Sequence, residues 1–120
     1  LLYDIGKVES VNDDLQADYT DAGRLIGHTA LGIGILRKAS SSIKNFPEDI
    51  LMKLEHVILS NESGWGTNSQ NNPLFPEALF VHYMHSLDGR MNEMLDAIES
   101  DLNTGWTDKH NHFRTELYKK

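Results

Sequence analysis

Residues 76–87 read PEALFVHYMHSL and open the longest helix that the sequence predicts, which runs from Glu77 to about Leu102. Proline suits a helix start because its missing N–H has no partner in the first turn anyway. The first turns are apolar almost all round, with Leu79, Phe80 and Val81 in succession. A helix of this kind is usually central and buried. The stretch therefore predicts a helical core element.

Two further helices are predicted upstream. The first begins at Thr20 or Asp21, both good N-caps, and runs to about Ser40. The second has Pro47 at its first position and an apolar stripe every three or four residues: Ile50, Leu51, Leu54, Val57 and Ile58. Gly6 is predicted to close the last turn of an earlier helix. No alternating strand pattern occurs, so the sequence predicts an all-α helical domain with loops at residues 7–20 and 63–72.

Size and composition narrow the function classes. The 120 residues predict one domain over residues 1–120, with 39% hydrophobic and 24% charged residues. No apolar run approaches the length of a transmembrane helix. The absence of cysteine excludes disulfides and thiolate metal sites and fits a cytoplasmic location. A net charge of −7 argues against a basic, phosphate-tracking surface.

The polar groups in apolar settings come from four separate segments. They are Asp4, His28, His56, Asn61, Glu62, His82, His85 and Asp88. Helical bundles hold divalent metals with converging carboxylates and imidazoles of this kind. The plainer alternative is that His56 and His82 are hydrogen-bonded core residues and that Asp88 faces solvent. For His28 the sequence favours neither alternative, and the separations match no local zinc motif.

Four stretches together resemble one protein family. Residues 1–7, LLYDIGK, resemble the L-x-H-D-I-G-K signature of HD-domain metal-dependent phosphohydrolases. Residues 19–28, YTDAGRLIGH, resemble the Y-T-x-x-G-x-L-x-G-H stretch of the bacterial 3′-to-5′ exoribonucleases of the YhaM type. Residues 56–60, HVILS, and residues 82–92, HYMHSLDGRMN, resemble that family's H-x-I-L-S and H-Y-x-D-N-L-D-A-K-M-N segments. The resemblance implies an HD-like helical bundle. Since the chain has no Met start, we expect it to be an excerpt of a longer protein and the bundle to be partial, without the family's N-terminal helix or helices.

The departures from the family pattern fall on its metal ligands. The family's upstream histidine is not in this chain, and Tyr3 stands where the His-Asp doublet has histidine. Asn61 and Glu62 replace a His-His pair, and His85 replaces an aspartate of the long helix. A protonated tyrosine and an asparagine amide are poor ligands for transition metals.

The resemblance nevertheless leaves one conceivable ligand set. Asp4 and His28 keep the family's ligand type, and Asp4 is the candidate catalytic residue. A remodelled site would combine Asp4, His28, Glu62 and His85 around a divalent metal such as Mn²⁺.

Three hypotheses follow. The leading one is a diverged HD-type domain with a degenerate metal site that acts as a binding or scaffold module. The second is an active, metal-dependent 3′-5′ exoribonuclease or phosphodiesterase that uses the remodelled ligands. The third is a structural domain that forms a homo-oligomer through exposed apolar surface. RNA or a nucleotide is the partner that the resemblance implies.

Overall fold

A computed structural model describes residues 2–12, 18–61 and 72–119. Within these ranges the chain forms a short 3₁₀ helix and five α-helices. The 3₁₀ helix is Leu2–Asp4, and the α-helices are α1 Lys7–Ser10, α2 Asp21–Ile26, α3 His28–Ser41, α4 Glu48–Ser60 and α5 Pro76–Ser100. The extended pairings of the described residues are two isolated antiparallel bridges, Val11 with Tyr19 and Trp106 with Tyr118. The predicted all-α class is confirmed.

The chain divides into two compact units, Leu1–His82 and Tyr83–Lys120. In the first unit, α3 packs on α4 and on α1, and the 3₁₀ helix contacts both α3 and α4. The second unit consists of the later part of α5 and the segment that follows it, which we call the tail loop (residues 101–119). The described helices include none that is both long and apolar enough to cross a membrane.

The predicted helix from Thr20 to Ser40 is interrupted at Gly27. Its start is as expected, because the Thr20 side chain accepts a hydrogen bond from the Gly23 N–H at 2.9 Å. Gly27 then has φ 82° and ψ 151°. This backbone conformation is not helical, and residues other than glycine rarely adopt it. Gly27 ends α2 and precedes α3, so His28 becomes the first residue of a new helix.

Gly6 was predicted to close the last turn of a helix, but it is the N-cap of α1. Its φ of −65° and ψ of −15° are right-handed, and the chain continues directly into α1 within the predicted loop. Glycine is required there for another reason. A Cβ on Gly6 would lie 1.7 Å from the His28 carbonyl oxygen and 2.6 Å from the Gly32 nitrogen. The missing side chain lets the backbone of residues 4–7 lie directly against the start of α3.

The beginning of α4 is shifted by one residue, and α5 is less buried than its composition predicts. Pro47 is the extended N-cap of α4 rather than its first helical residue. Helix α5 begins at Pro76 as predicted and ends at Ser100. Phe80 is 66% exposed and Leu87 54% exposed, whereas Ala78 and His82 are buried. The expectation of a central, buried α5 is therefore wrong for the part of the chain that the structure describes.

Candidate functional site

The 3₁₀ helix and the start of α3 bring together two of the predicted site residues. Asp4 ends the 3₁₀ helix, and its Oδ1 lies 3.8 Å from Nε2 of His28. Both side chains are about one-third exposed, at 28% and 34%. The close approach of Gly6 to the His28 carbonyl and the break at Gly27 place these two residues side by side.

A lysine neutralises the same carboxylate. Lys7 Nζ donates to the second oxygen of Asp4, Oδ2, at 2.7 Å. The 3.8 Å between Asp4 and His28 is too long for a hydrogen bond, so that contact is an ion pair only when the imidazole is protonated. Asp4 thus lies between a lysine ammonium and an imidazole, a small polar cluster on the surface of the first unit.

The other two proposed ligands are Glu62 and His85. Glu62 lies outside the described residues. His85 is half-buried on α5 within the second unit. Among residues 2–12, 18–61 and 72–119, no three histidine, aspartate or glutamate side chains are grouped so that they could hold a metal ion.

The described donors therefore do not fit a divalent metal by themselves. Such an ion takes about four to six ligands, whereas Asp4 and His28 supply two. The four-ligand site remains a prediction.

Asn61, which the resemblance predicts at a ligand position of the family, is half-buried at the end of α4. It caps the C-terminus of α4, and its Nδ2 donates to the Val57 carbonyl at 2.7 Å. Its Oδ1 is buried and has no hydrogen-bond partner within the described part of the chain. Buried acceptors are normally satisfied, so this oxygen is an exception among the described residues.

His56 and His82 have structural partners. His56 Nε2 accepts a hydrogen bond from the Leu74 N–H at 3.1 Å, and its ring lies 5.4 Å from that of Phe75. His82 is buried, with its Nδ1 3.2 Å from the Ser60 carbonyl oxygen. These contacts support the plainer interpretation of both histidines. Asp88 is exposed, as its solvent-facing alternative predicts.

The tail loop contains a second polar cluster, which the sequence patterns did not reveal. The Asp101 carboxylate accepts hydrogen bonds from the backbone N–H groups of Asn103 at 2.8 Å and Asp108 at 2.9 Å. The Lys119 ammonium lies 3.3 Å from the same carboxylate. These donors, the Asp108 N–H foremost, hold the pKa of Asp101 below its usual value.

A similar arrangement follows at Asp108. Its carboxylate accepts from the backbone N–H of His110 at 2.8 Å, and the His110 ring Nδ1 lies 2.5 Å from the same oxygen. The His110 backbone N–H is the main reason that the pKa of Asp108 is lowered. The Asn103-Thr104-Gly105 run after Asp101 is a turn signal that could have indicated this loop.

Comparison with known proteins relates the chain to one group of enzymes. It is 36% identical over 101 residues to the 3′-5′ exoribonuclease YhaM of Bacillus subtilis, and 34% identical over 99 residues to that of Bacillus pumilus. It is 35% identical over 101 residues to the YhaM protein of a Geobacillus species. Each alignment covers 82% of this chain but only 30–31% of the relative. The chain thus spans about a third of the length of the curated relatives that it matches. No family model matches it, and no solved structure does.

Proposed function

We propose that the chain is a diverged HD-type domain of an exoribonuclease-like protein, with an impaired metal site, and that it acts as a binding or scaffold module. One observation carries the proposal. Gly6 packs Asp4 beside His28, whereas Tyr3 stands where the resembled family has a metal-ligating histidine. A kept scaffold with an incomplete donor set is the expected state of an enzyme domain that has lost its chemistry.

The chemistry of the replaced residues supports an impaired site. Hydrolysis of a phosphodiester at a metal centre requires an ion that activates water and polarises the phosphoryl oxygens. Tyr3 offers a phenol, which is a poor ligand while it is protonated, and Asn61 offers a neutral amide oxygen. Neither replaces an imidazole well as a ligand for a transition metal. The proposal therefore includes no resident metal.

The partner in this proposal is RNA. The relatives are named 3′-5′ exoribonucleases, and the similarity extends over 82% of this chain. A domain that loses turnover can still contribute contacts to a strand or hold other parts of a protein in place. A cytoplasmic location agrees with an RNA partner and with a chain free of cysteine.

A hydrolysis assay with metal analysis tests the proposal. The full chain is incubated with a labelled single-stranded RNA in Mn²⁺ and, in parallel, in excess EDTA, with the Bacillus subtilis relative as the positive control. We expect no hydrolysis above background and less than one equivalent of bound metal. Robust hydrolysis that EDTA abolishes would overturn the proposal.

The second candidate is an active enzyme with the ligand set Asp4, His28, Glu62 and His85. The 3.8 Å between Asp4 Oδ1 and His28 Nε2 favours it, because two ligands of one ion lie roughly 3 to 4 Å apart. It predicts Mn²⁺-dependent hydrolysis that is lost on His28→Ala and retained on His112→Ala, which removes an exposed histidine of the tail loop. An inactive wild-type chain would eliminate this candidate.

The simplest scaffold role is self-association of the chain into a homo-oligomer. Five large apolar side chains of α5 in the second unit are at least 43% exposed: Tyr83, Met84, Leu87, Met91 and Leu95. They follow one another at helical spacing, and contiguous exposed apolar patches mark interaction surfaces. Light scattering during size-exclusion chromatography should then give a mass above 13.6 kDa, and Leu87→Lys should restore the monomer.

A further inference from the structure

We propose that Trp106, in the tail loop, is a stacking platform for a base of single-stranded RNA. The choice of RNA as the ligand rests on the function proposed above, whereas the site itself rests on the geometry of the second unit. Nothing in the sequence similarity assigns a role to this tryptophan.

The Trp106 side chain is exposed, whereas the backbone of both neighbouring residues is fixed by hydrogen bonds. Tryptophan is usually highly buried, but this side chain is 56% exposed. The next residue, Thr107, is 3% exposed, and its N–H donates to the Leu117 carbonyl at 2.9 Å. The Lys119 N–H donates to the Gly105 carbonyl at 2.8 Å. The ring is thus presented by a closed loop rather than by a free end of the chain.

A second aromatic ring supports the first. The Tyr118 ring centroid is 5.3 Å from that of Trp106, and the two planes are inclined by 61°. An edge-to-face pair fixes the orientation of the indole and leaves aromatic surface uncovered, since Tyr118 is itself 61% exposed. A preoriented aromatic ring loses little conformational entropy when a flat ligand stacks on it.

A cleft of about 490 Å³ lies beside the indole. Its lining residues are Asn103, Trp106, Thr107, Asp108, Lys109, His110 and Glu116. Its size falls within the range of small-molecule sites. The indole offers a face for any base, the Asn103 amide offers a polar group for a base edge, and the Lys109 ammonium offers a cation for a phosphate. Lys109 is 69% exposed and only loosely paired with Glu116, at 3.7 Å.

The distribution of charge favours this end of the chain. Residues 101–120 contain four of the eleven basic side chains and three of the eighteen acidic ones. The remainder is strongly acidic and would repel a phosphate backbone. Recognition through stacking needs fewer cations than recognition through phosphate contacts, and it requires bases that are not already stacked in a duplex. Single-stranded RNA is therefore the occupant that fits.

Fluorescence and anisotropy titrations of the full chain test the proposal. Trp65→Phe leaves Trp106 as the single tryptophan, and EDTA prevents cleavage during the titration. We expect a single-stranded RNA octamer to quench Trp106 and a duplex of equal length to leave it unchanged. In anisotropy, Trp106→Leu should weaken binding about tenfold or more, whereas Trp106→Phe should retain most of the affinity. Phe80→Leu, which removes an exposed ring of α5, should have no effect.

The outcomes separate this inference from the proposed function. Tyr118→Leu breaks the same ring pair but keeps the indole, so its loss should be clearly smaller than that of Trp106→Leu. Equal losses, or none for Trp106→Leu, would overturn the stacking site while leaving an RNA-binding module intact. Absence of any RNA binding would also overturn it and leave only the scaffold role. EDTA-sensitive hydrolysis would overturn the impaired-enzyme proposal without affecting the role of Trp106.

Discussion

The surroundings of Asp4 in the first unit and the tail loop in the second are built in different ways. Near Asp4, the backbone of Gly6 lies directly against the backbone of α3, so close that a Cβ on Gly6 would collide with the His28 carbonyl oxygen. In the tail loop, carboxylates bind backbone N–H groups, as at Asp101 and Asp108. The first arrangement depends on the absence of side chains, and the second depends on the charge of side chains.

This difference determines which changes each region tolerates. A backbone contact between packed elements cannot relax by rotating a side chain, so small increases in volume are costly there. A carboxylate that accepts hydrogen bonds stabilises the folded state most while it is ionised, so a fall in pH removes part of that stabilisation without any substitution. The region around Asp4 should therefore respond to substitutions by size, and the tail loop should respond to pH.

The largest effect is expected from Gly6→Ala. The added methyl group would meet backbone atoms of α3 at 1.7 and 2.6 Å, so the turn at Gly6 and α3 must move apart. We expect a loss of about 3 kcal/mol in the free energy of unfolding, measured by urea denaturation. Gly34→Ala, in the helix α3 that Gly6 contacts, is the control, because nothing lies within 4 Å of its added Cβ. That control should gain about 0.5–1 kcal/mol from helix propensity. Equal effects of the two substitutions would contradict the packing described for Gly6.

A smaller effect is expected at the N-cap of α2. The Thr20 hydroxyl accepts from the Gly23 N–H at 2.9 Å and donates to the Glu9 carbonyl at 2.8 Å, so it also ties α2 to α1. Thr20→Ala should lower the free energy of unfolding by about 1 kcal/mol, and Thr20→Ser should recover most of the loss. If alanine and serine behave alike in thermal denaturation, the hydroxyl is not the stabilising group.

The tail loop should open in acid. Because the pKa of Asp101 is lowered in the folded chain, the unfolded loop binds the proton more readily. The stabilisation is present above the usual pKa of 3.8 and is lost as the pH falls through the lower pKa of the folded state. Trp106 fluorescence in the Trp65→Phe chain should therefore change below about pH 4. Asp101→Asn should reduce the dependence on pH; an unchanged acid transition would show that Asp101 does not control the loop.

The smallest effect is expected from the ion pair between α3 and α4. The Arg37 guanidinium donates to both carboxylate oxygens of Glu55, at 2.6 and 3.1 Å, and this hydrogen bonding lowers the pKa of Glu55. Arg37 is largely exposed, and exposed pairs contribute little. Arg37→Met should shift the denaturation midpoint less than Thr20→Ala does, and the shift should shrink in high salt. If the shift of the denaturation midpoint does not depend on salt, the effect of Arg37→Met comes from packing and not from the ion pair.

The helical fold was predictable because its signals are local. Thr20 as an N-cap and Pro76 as a helix start act within one turn, and both are confirmed. The break at Gly27 and the close approach at Gly6 were not predictable, since a glycine in a sequence does not show whether it serves a positive φ or a contact with a distant backbone. The exposure of α5 could not be predicted from its apolar residues either. Such residues indicate that a helix face favours burial, but they do not show whether another part of the same chain covers it.

The sequence could predict which residue types belong to the candidate site but not how they are arranged in space. The resemblance indicated Asp4 and His28, and the structure places them 3.8 Å apart. Their proximity depends on tertiary packing between segments more than twenty residues apart in the sequence. The tail-loop cluster was missed because its hydrogen bonds join carboxylates to backbone N–H groups, which every residue type but proline carries.

The close packing at Gly6 has a consequence for how this chain can change over evolutionary time. The contact of Gly6 with His28 and Gly32 joins backbone atoms, to which the side chains at positions 3, 61 and 85 do not contribute. The side chains at these positions are therefore separate from this contact and can change without altering its atoms. The same separation makes the chain a usable starting point for protein engineering, in which histidines are introduced at Tyr3 and Asn61 one at a time.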